Sequence, residues 1–197
     1  MEHNAPVTVV FVTGGLGSGK STFTQLCAKH GAQVLDADQI VNDLYKKDKD
    51  MVSQLAEILG PSILSETGEV IKGEIAAKVF NDAGLLDKVE KVIHPKVRKV
   101  LEKTAISAKL LVYEIPVLNV ETDLNIADFV VVVTAPAETR LSRAIARGMS
   151  REDALARMER QKANQYIPPN AVIVENSGDI SDLESAVIDF LGRVSND

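Results

Sequence analysis

Residues 14–21, Gly14-Gly15-Leu16-Gly17-Ser18-Gly19-Lys20-Ser21, spell G-x-x-x-x-G-K-[ST] directly after the apolar run Val7-Thr8-Val9-Val10-Phe11-Val12. The pattern constrains the fold because it works only between a strand and a helix. The glycines let backbone N–H groups converge on phosphate oxygens, Lys20 reaches the β- and γ-phosphates, and Ser21, followed by Thr22, offers a hydroxyl to Mg²⁺. The flanking sequence supplies both elements. The preceding run reads as a buried parallel strand. Phe23, Leu26, Cys27 and His30 fall at i, i+3, i+4 and i+7 on one helix face, with Gly31 placed to end the helix. Such a helix turns its positive end toward the phosphates. A dinucleotide fingerprint fails here, because its third glycine would have to stand where Lys20 is. A merely flexible turn leaves Lys20-Ser21 unexplained. A nucleoside triphosphate is the ligand these residues imply.

At 197 residues the chain suits one α/β domain with room for a helical insertion. Its net charge of −6 opposes broad nucleic-acid binding, so an anionic ligand must be held by local donors. The single cysteine excludes an intramolecular disulfide and fits a reducing cytoplasm. Cys27 lies on the apolar face of the first helix and is expected to be a core thiol. The N-terminal residues lack a basic region before an apolar stretch, and no run reaches the length of a membrane span. The three histidines are scattered, and no structural metal is expected.

Further along, Ala32-Gln33-Val34-Leu35 reads as a second strand with Asp36-Ala37-Asp38 at its carboxyl end, the edge where open parallel sheets bind ligands. Ile40, Val41 and Leu44 begin a helix running into Lys46-Lys47-Asp48-Lys49-Asp50, expected to be a solvated connection. Residues 51–109 read as helices: Val52, Leu55, Ile58 and Leu59 before Gly60-Pro61; Ile75, Val79 and Phe80 before Gly84; then Leu86, Val89, Ile93, Val97, Val100 and Leu101. Strands resume at 110–113, before Glu114, at 129–133 and at 171–174. A helix carries Arg140, Arg143 and Arg147, Ser150 to Asp153 resembles a helix start, and Ser181-Asp182-Leu183-Glu184 is a capping-box pattern. This alternation predicts an α/β fold, a doubly wound parallel sheet with a helical insertion at 51–109.

Several residues suit phosphoryl transfer to a small molecule, which needs a base, Mg²⁺ and mobile cations. The guanine-reading N-K-x-D is absent, and the strand ending in Glu114 lacks the Asp-Glu pair common in ATPases. Asp36 and Asp38, two apart, would face one side if the strand continued that far. Asp38 is the preferred base, while Asp36 alone fits a turn or helix cap as well. Arg143 and Arg147, four apart, would converge on a ligand from one helix face before the Gly148-Met149-Ser150 break. A lid over about 140–165 would exclude water during transfer. A solvated basic face paired with Glu152 or Asp153 is the competing reading.

Residues 13–22 with Val34-Leu35-Asp36-Ala37-Asp38, Val79-Phe80, His94-Pro95, the Glu114 to Leu118 segment, Arg143, Arg147, Gln161 and Val174-Glu175-Asn176-Ser177-Gly178 occur in the order seen in dephospho-CoA kinases. The chain resembles that family over nearly its whole length. The resemblance implies a P-loop kinase fold and transfer of the ATP γ-phosphate to the ribose 3′-hydroxyl of dephospho-CoA, with ATP and Mg²⁺ and no membrane or nucleic-acid partner. It implies Asp38 as base, Lys20, Arg143 and Arg147 as catalytic cations, and Asn176 with the loop Gly14, Gly15, Leu16, Gly17, Ser18, Gly19, Lys20, Ser21 and Thr22 on the nucleotide. Asp36, Lys72, His94 and Gln161 fall to the acceptor, and Ser21 to Mg²⁺, with Glu114 acting directly or through water. Departures are Glu114 and Arg140, where the family usually has aspartate and glutamine, Lys72 near a usual arginine, and Pro116-Val117-Leu118-Asn119-Val120-Glu121 in place of P-L-L-F-E. Lys72 keeps charge but loses bidentate recognition. A kinase for another small alcohol, and an ATP-binding regulatory protein without turnover, are the alternative readings.

Overall fold

A computed structural model describes residues 7–80, 82–118, 123–163 and 166–194. Within them, the apolar runs form strands β1 (Thr8–Thr13), β2 (Gln33–Asp36), β3 (Leu110–Glu114), β4 (Phe129–Thr134) and β5 (Val172–Glu175). They make one sheet in the order β2-β3-β1-β4-β5, every neighbouring pair parallel. β1 is central: the chain passes from it to the edge strand β2, returns to β3 beside it, then crosses to β4 and β5 on the other side. The crevice beyond its carboxyl end is therefore the point where strand order reverses, and the Gly14–Ser21 loop leaves β1 there.

Helices α1 (Lys20–Lys29), α6 (Ala137–Ala146), α7 (Arg151–Ala163) and α8 (Ile180–Val194) accompany the sheet. Val10, Val12, Val112, Val131 and Val133 meet Phe23, Leu26 and Cys27 of α1 and Leu183, Val187 and Phe190 of α8 in one core. Val9 through Thr13 are all buried, so both faces of β1 are covered, as a continuous apolar run requires. Each such valine contributes roughly 1.5–3 kcal/mol relative to exposure. On the opposite face from Val10 and Val12, Phe11 packs edge-on to Tyr113, ring centroids 5.1 Å apart.

Packing divides the chain into two units: residues up to Asp36 with those from Ala105 onward, and Ala37–Thr104. The second is helical, with α2 (Ala37–Lys47), α3 (Lys49–Leu59), α4 (Lys72–Val79) and α5 (Ala83–Ala105), the last ending one residue beyond it. Met51, Leu55, Leu59, Ile63, Ile75, Val89 and Ile93 form its own core.

Four local readings are corrected. The charged stretch at 46–50 is largely solvated, as expected, but is not an irregular connection: α2 and α3 nearly abut there, and Asp48 caps α3 by accepting the Met51 N–H at 2.9 Å. Lys96 ties that cap to α5 through Asp48 and Asp50, at 3.0 and 2.9 Å. Gly84 lies inside α5 instead of ending a helix, because Asp82 already accepts the Leu85 N–H before it. The last helix opens at Ile180, since Asp179 caps it by accepting from Ser181 N and Asp182 N while Asp182 returns a bond to Asp179 N. The box is Asp179/Asp182, two residues before the expected Ser181. Finally, β2 ends at Asp36 and Ala37 starts a helix, so no pleat directs Asp36 and Asp38 to one side.

Candidate active site

The loop reaches α1 through Gly19, whose φ of 99° lies in the left-handed region. No side chain caps α1 and its first turn holds no acid, which leaves the positive end of the helix uncompensated beside the loop. A Cβ on Gly19 would collide with Asn176 Nδ2, and one on Gly17 with the carbonyl of Arg140. Neighbouring elements thus press against the loop and hold its shape. Asn176 Nδ2 donates to Ser18 O at 2.8 Å, and its own N–H to Thr134 O at 2.7 Å, bracing the loop from the end of β5. Lys20 Nζ donates to Gly14 O at 2.9 Å, curling back along the loop. Ser18 Oγ is the one buried side-chain oxygen without a partner among the described residues.

On the β3 side, Glu114 is 8% exposed and accepts Ser21 Oγ at 2.8 Å and Thr24 Oγ1 at 3.0 Å. Strand register sets Glu114 beside Val12 and Asp36, so the carboxylate sits at the carboxyl edge next to the loop's root. A buried carboxylate needs such donors. Because Ser21 gives its proton to Glu114, its oxygen lone pairs remain for a cation. Thr24, three residues after Ser21, was missed by the sequence reading, although i, i+3 spacing put it on the face of Ser21. Cys27 is the core thiol expected: it is fully buried, and burial pushes its pKa up to about 12.

On the other side stand α6 and α7. Leu16 packs against Leu141, Ala144 and Ala154, with Met149 and Met158, which joins the loop to both helices. Gln161 Oε1 accepts the Leu16 N–H at 2.6 Å. Thr13, Gly14, Gly15, Gln161, Tyr166 and the 116–118 segment wall a hollow there. Arg143, in the last turn of α6, points Nη1 at Gly17 O, 3.5 Å away. Arg147 is the C-cap of α6, not part of its regular helix, because Gly148 turns left-handed with φ 90°. Arg147 is exposed and pairs with no carboxylate among the described residues, and Asp153 instead accepts the Ser150 hydroxyl and caps α7 reciprocally. Arg140, expected on this helix but given no role in the site, lies against Gly15. The spacing Arg140, Arg143, Arg147 at i, i+3, i+7 was the signal for it.

Asp36 ends β2 beside Glu114, while Asp38 lies in the first turn of α2, in the helical unit. Lys72 opens α4 and His94 rides on α5, both exposed. Asn119, Val120 and Glu121 lie outside the described residues. Among the described residues no three His, Cys, Asp or Glu side chains gather to hold a metal ion, and no helix is long and apolar enough to cross a membrane.

The sequence model of the family "Dephospho-CoA kinase" matches residues 8–182. The dephospho-CoA kinase of Corynebacterium glutamicum is 30% identical over 191 residues, covering 93% of this chain and 97% of its own. That of Aquifex aeolicus is 33% identical over 175 residues, 87% of this chain and 89% of its own. Among solved structures, TT1252 from Thermus thermophilus superposes with a TM-score of 0.78 at 30% identity, covering 96% of this chain and 98% of that one. Shikimate kinase from Bacteroides thetaiotaomicron, at 15% identity and a TM-score of 0.54, covers 95% of this chain and 98% of that one and shares the fold.

Proposed function

Since the chain belongs to the dephospho-CoA kinase family, we propose that it transfers the γ-phosphoryl group of ATP to the ribose 3′-hydroxyl of dephospho-CoA, giving coenzyme A and ADP. The observation that carries this reading is the loop itself: an uncapped α1 N-terminus, Lys20 curled to Gly14 O, and Ser21 with its proton committed to buried Glu114. That donor set suits a triphosphate and its metal. The ribose oxygen bonds to the γ-phosphorus, the bond from phosphorus to the β,γ-bridging oxygen breaks to release ADP, and the hydroxyl proton passes to Asp38. Lys20 spreads over the β- and γ-oxygens, and Arg143 and Arg147 cover the phosphates from the α6 side.

The residues fit Mg²⁺. A magnesium ion bound with nucleotide takes few protein ligands and keeps waters, which agrees with one hydroxyl backed by one carboxylate. Ser21 would hold it through oxygen, with Glu114 orienting that hydroxyl and any bound water. When present, the ion supplies charge neutralisation at the phosphates. The helical insertion expected at 51–109, most of which lies in the Ala37–Thr104 unit, is the proposed acceptor-binding part, with Lys72 and His94 as its polar contributors. Asp36 and Gln161 complete the acceptor-side set, and Asn176 serves the nucleotide through the loop it braces.

A coupled ADP-release assay with Mg²⁺ tests the reading. ADP must form with dephospho-CoA and not without an acceptor; equal rates in both arms would sink it, and turnover only with another alcohol would reassign the acceptor. Asp38→Asn should lower kcat far more than it weakens ATP binding. If Asp36→Asn abolishes turnover and Asp38→Asn does not, the base is Asp36.

A further inference from the structure

The phosphate loop has donors at both ends. At the Gly17–Gly19 end stand Asn176 Nδ2 and Arg143 Nη1. At the other end Lys20 Nζ lies 2.9 Å from Gly14 O, and the Arg140 guanidinium covers Gly15 so closely that a Cβ built there would collide with Nη1, with Gln161 Oε1 3.8 Å from the same point. Arg140 is half-buried, and its side chain makes no hydrogen bond or ion pair among the described residues. Its backbone is fixed, because its carbonyl packs on Gly17 and its N–H is held by Pro136 O at 3.0 Å. The guanidinium is thus delivered to the loop from a firm base.

A guanidinium cannot shed its charge, and it carries five donors and no acceptor. Half-buried and without a side-chain partner beside an anion-binding loop, it keeps its donors for an anion that arrives with the ligand. Position decides which anion. The lysine of such a loop serves the β- and γ-phosphates, and Lys20 runs toward Gly14, so the Gly14–Gly15 end is the γ end. We infer that Arg140 is a further donor to the γ-phosphoryl group, separate from Arg143 and Arg147, and that it makes the site discriminate triphosphate from diphosphate. The inference rests on the kinase reading above.

The test measures binding of ADP and of the non-hydrolysable β,γ-imido analogue of ATP, each with Mg²⁺, to the full chain by calorimetry. Arg140→Gln should weaken the triphosphate analogue about tenfold, the cost of one lost charge-assisted contact, and leave ADP within about twofold. Arg140→Lys, which keeps the charge without the fork, should fall between and reads the effect should the glutamine variant fail to fold. Equal weakening of both nucleotides would mean that Arg140 only props the loop, and no change in either would mean that it faces solvent; both outcomes overturn the inference. No acceptor is needed, so wild-type turnover with dephospho-CoA tests the kinase reading separately.

Discussion

On the β3 side of the phosphate loop, Glu114 is buried and takes hydroxyls from Ser21 and Thr24. On the α6 side, the Arg140 and Arg147 side chains have no hydrogen-bond or ion-pair partner among the described residues, and that of Arg143 has only the 3.5 Å approach to Gly17 O. Desolvation explains the contrast. A carboxylate withdrawn from water must have its hydrogen bonds made by the protein when it folds. Arginines at least partly in water pay little for going unpaired, so they can be kept for a charge that comes with the ligand. The site therefore has one wall finished at folding and another completed on binding, and substitutions should act differently on the two.

The largest expected effect is on the loop that both walls share. Lys20→Ala removes the ammonium that spans the β- and γ-oxygens, where charge builds as the bridging bond breaks, and kcat/KM should fall by roughly 3 kcal/mol or more in transition-state stabilisation. Steady-state kinetics on a variant with wild-type thermal stability checks this. Near-normal turnover would remove Lys20 from the site and leave the comparison without a centre.

Next comes the finished wall. Glu114→Gln keeps the shape but loses the charge that orders two hydroxyls, so the Mg²⁺ concentration for half-maximal rate should rise about tenfold, with a loss of roughly 1–3 kcal/mol in folding stability from the imperfectly satisfied buried site. Both readouts should move together. Thr24→Val should reproduce the stability loss with a smaller metal effect. If Glu114→Gln leaves both unchanged, the buried carboxylate is an ordinary hydrogen-bonded core group.

The two walls also differ in how readily the sequence discloses them. The Arg143/Arg147 pair and the loop are local patterns, visible because four residues make one helix turn and because glycine spacing encodes backbone curvature. Arg147 nevertheless falls at the C-cap, since Gly148 ends the helix there. The Thr24–Glu114 bond spans 90 residues, and only the parallel register of β1 and β3 brings its ends together. Asp36 and Asp38 show the limit of a pleat argument: the helix beginning at Ala37 overrides it. The Asp48–Lys96 tie was hidden in the same way, inside a charged run that looked solvated. The doubly wound class was legible because buried parallel strands are written as unbroken apolar runs, whereas the order β2-β3-β1-β4-β5 rests on pairings between distant segments that no local pattern encodes.

On the open wall, Arg147→Ala should cost about tenfold in kcat/KM, with less change in equilibrium nucleotide binding and none in thermal stability, because the side chain has no folded partner to lose. Arg143→Ala should match it in kinetics and add a small stability loss for the Gly17 contact. Raising ionic strength should shrink the Arg147 effect more than the Lys20 effect, since exposed charges are the better screened. An Arg147→Ala variant that turns over normally, or melts well below wild type, would make the open wall structural and erase the contrast.

The smallest expected effect tests how closed the finished wall is. Cys27 lies near the end of α1 and inside the core, fully buried, with its thiol pushed up to about 12. Only the thiolate is alkylated, and an ordinary thiol near 8.5 is partly ionised at pH 8, so the raised value alone should slow iodoacetamide labelling of the folded protein roughly a thousandfold against the unfolded chain. Raising the pH from 7 to 9 should bring labelling of the unfolded chain close to its plateau, while the native thiol, still far below about 12, stays almost wholly protonated and is labelled slowly throughout. Arg147→Ala should leave that slow rate unchanged, since its side chain is exposed and makes no hydrogen bond or ion pair among the described residues, whereas Glu114→Gln should raise it by loosening Thr24 three residues before Cys27. Mass spectrometry of the labelled protein at timed intervals reads both. Fast native labelling with a midpoint near pH 8.5 would show that α1 opens readily, and the wall described as finished at folding would then be as dependent on ligand as the one facing it.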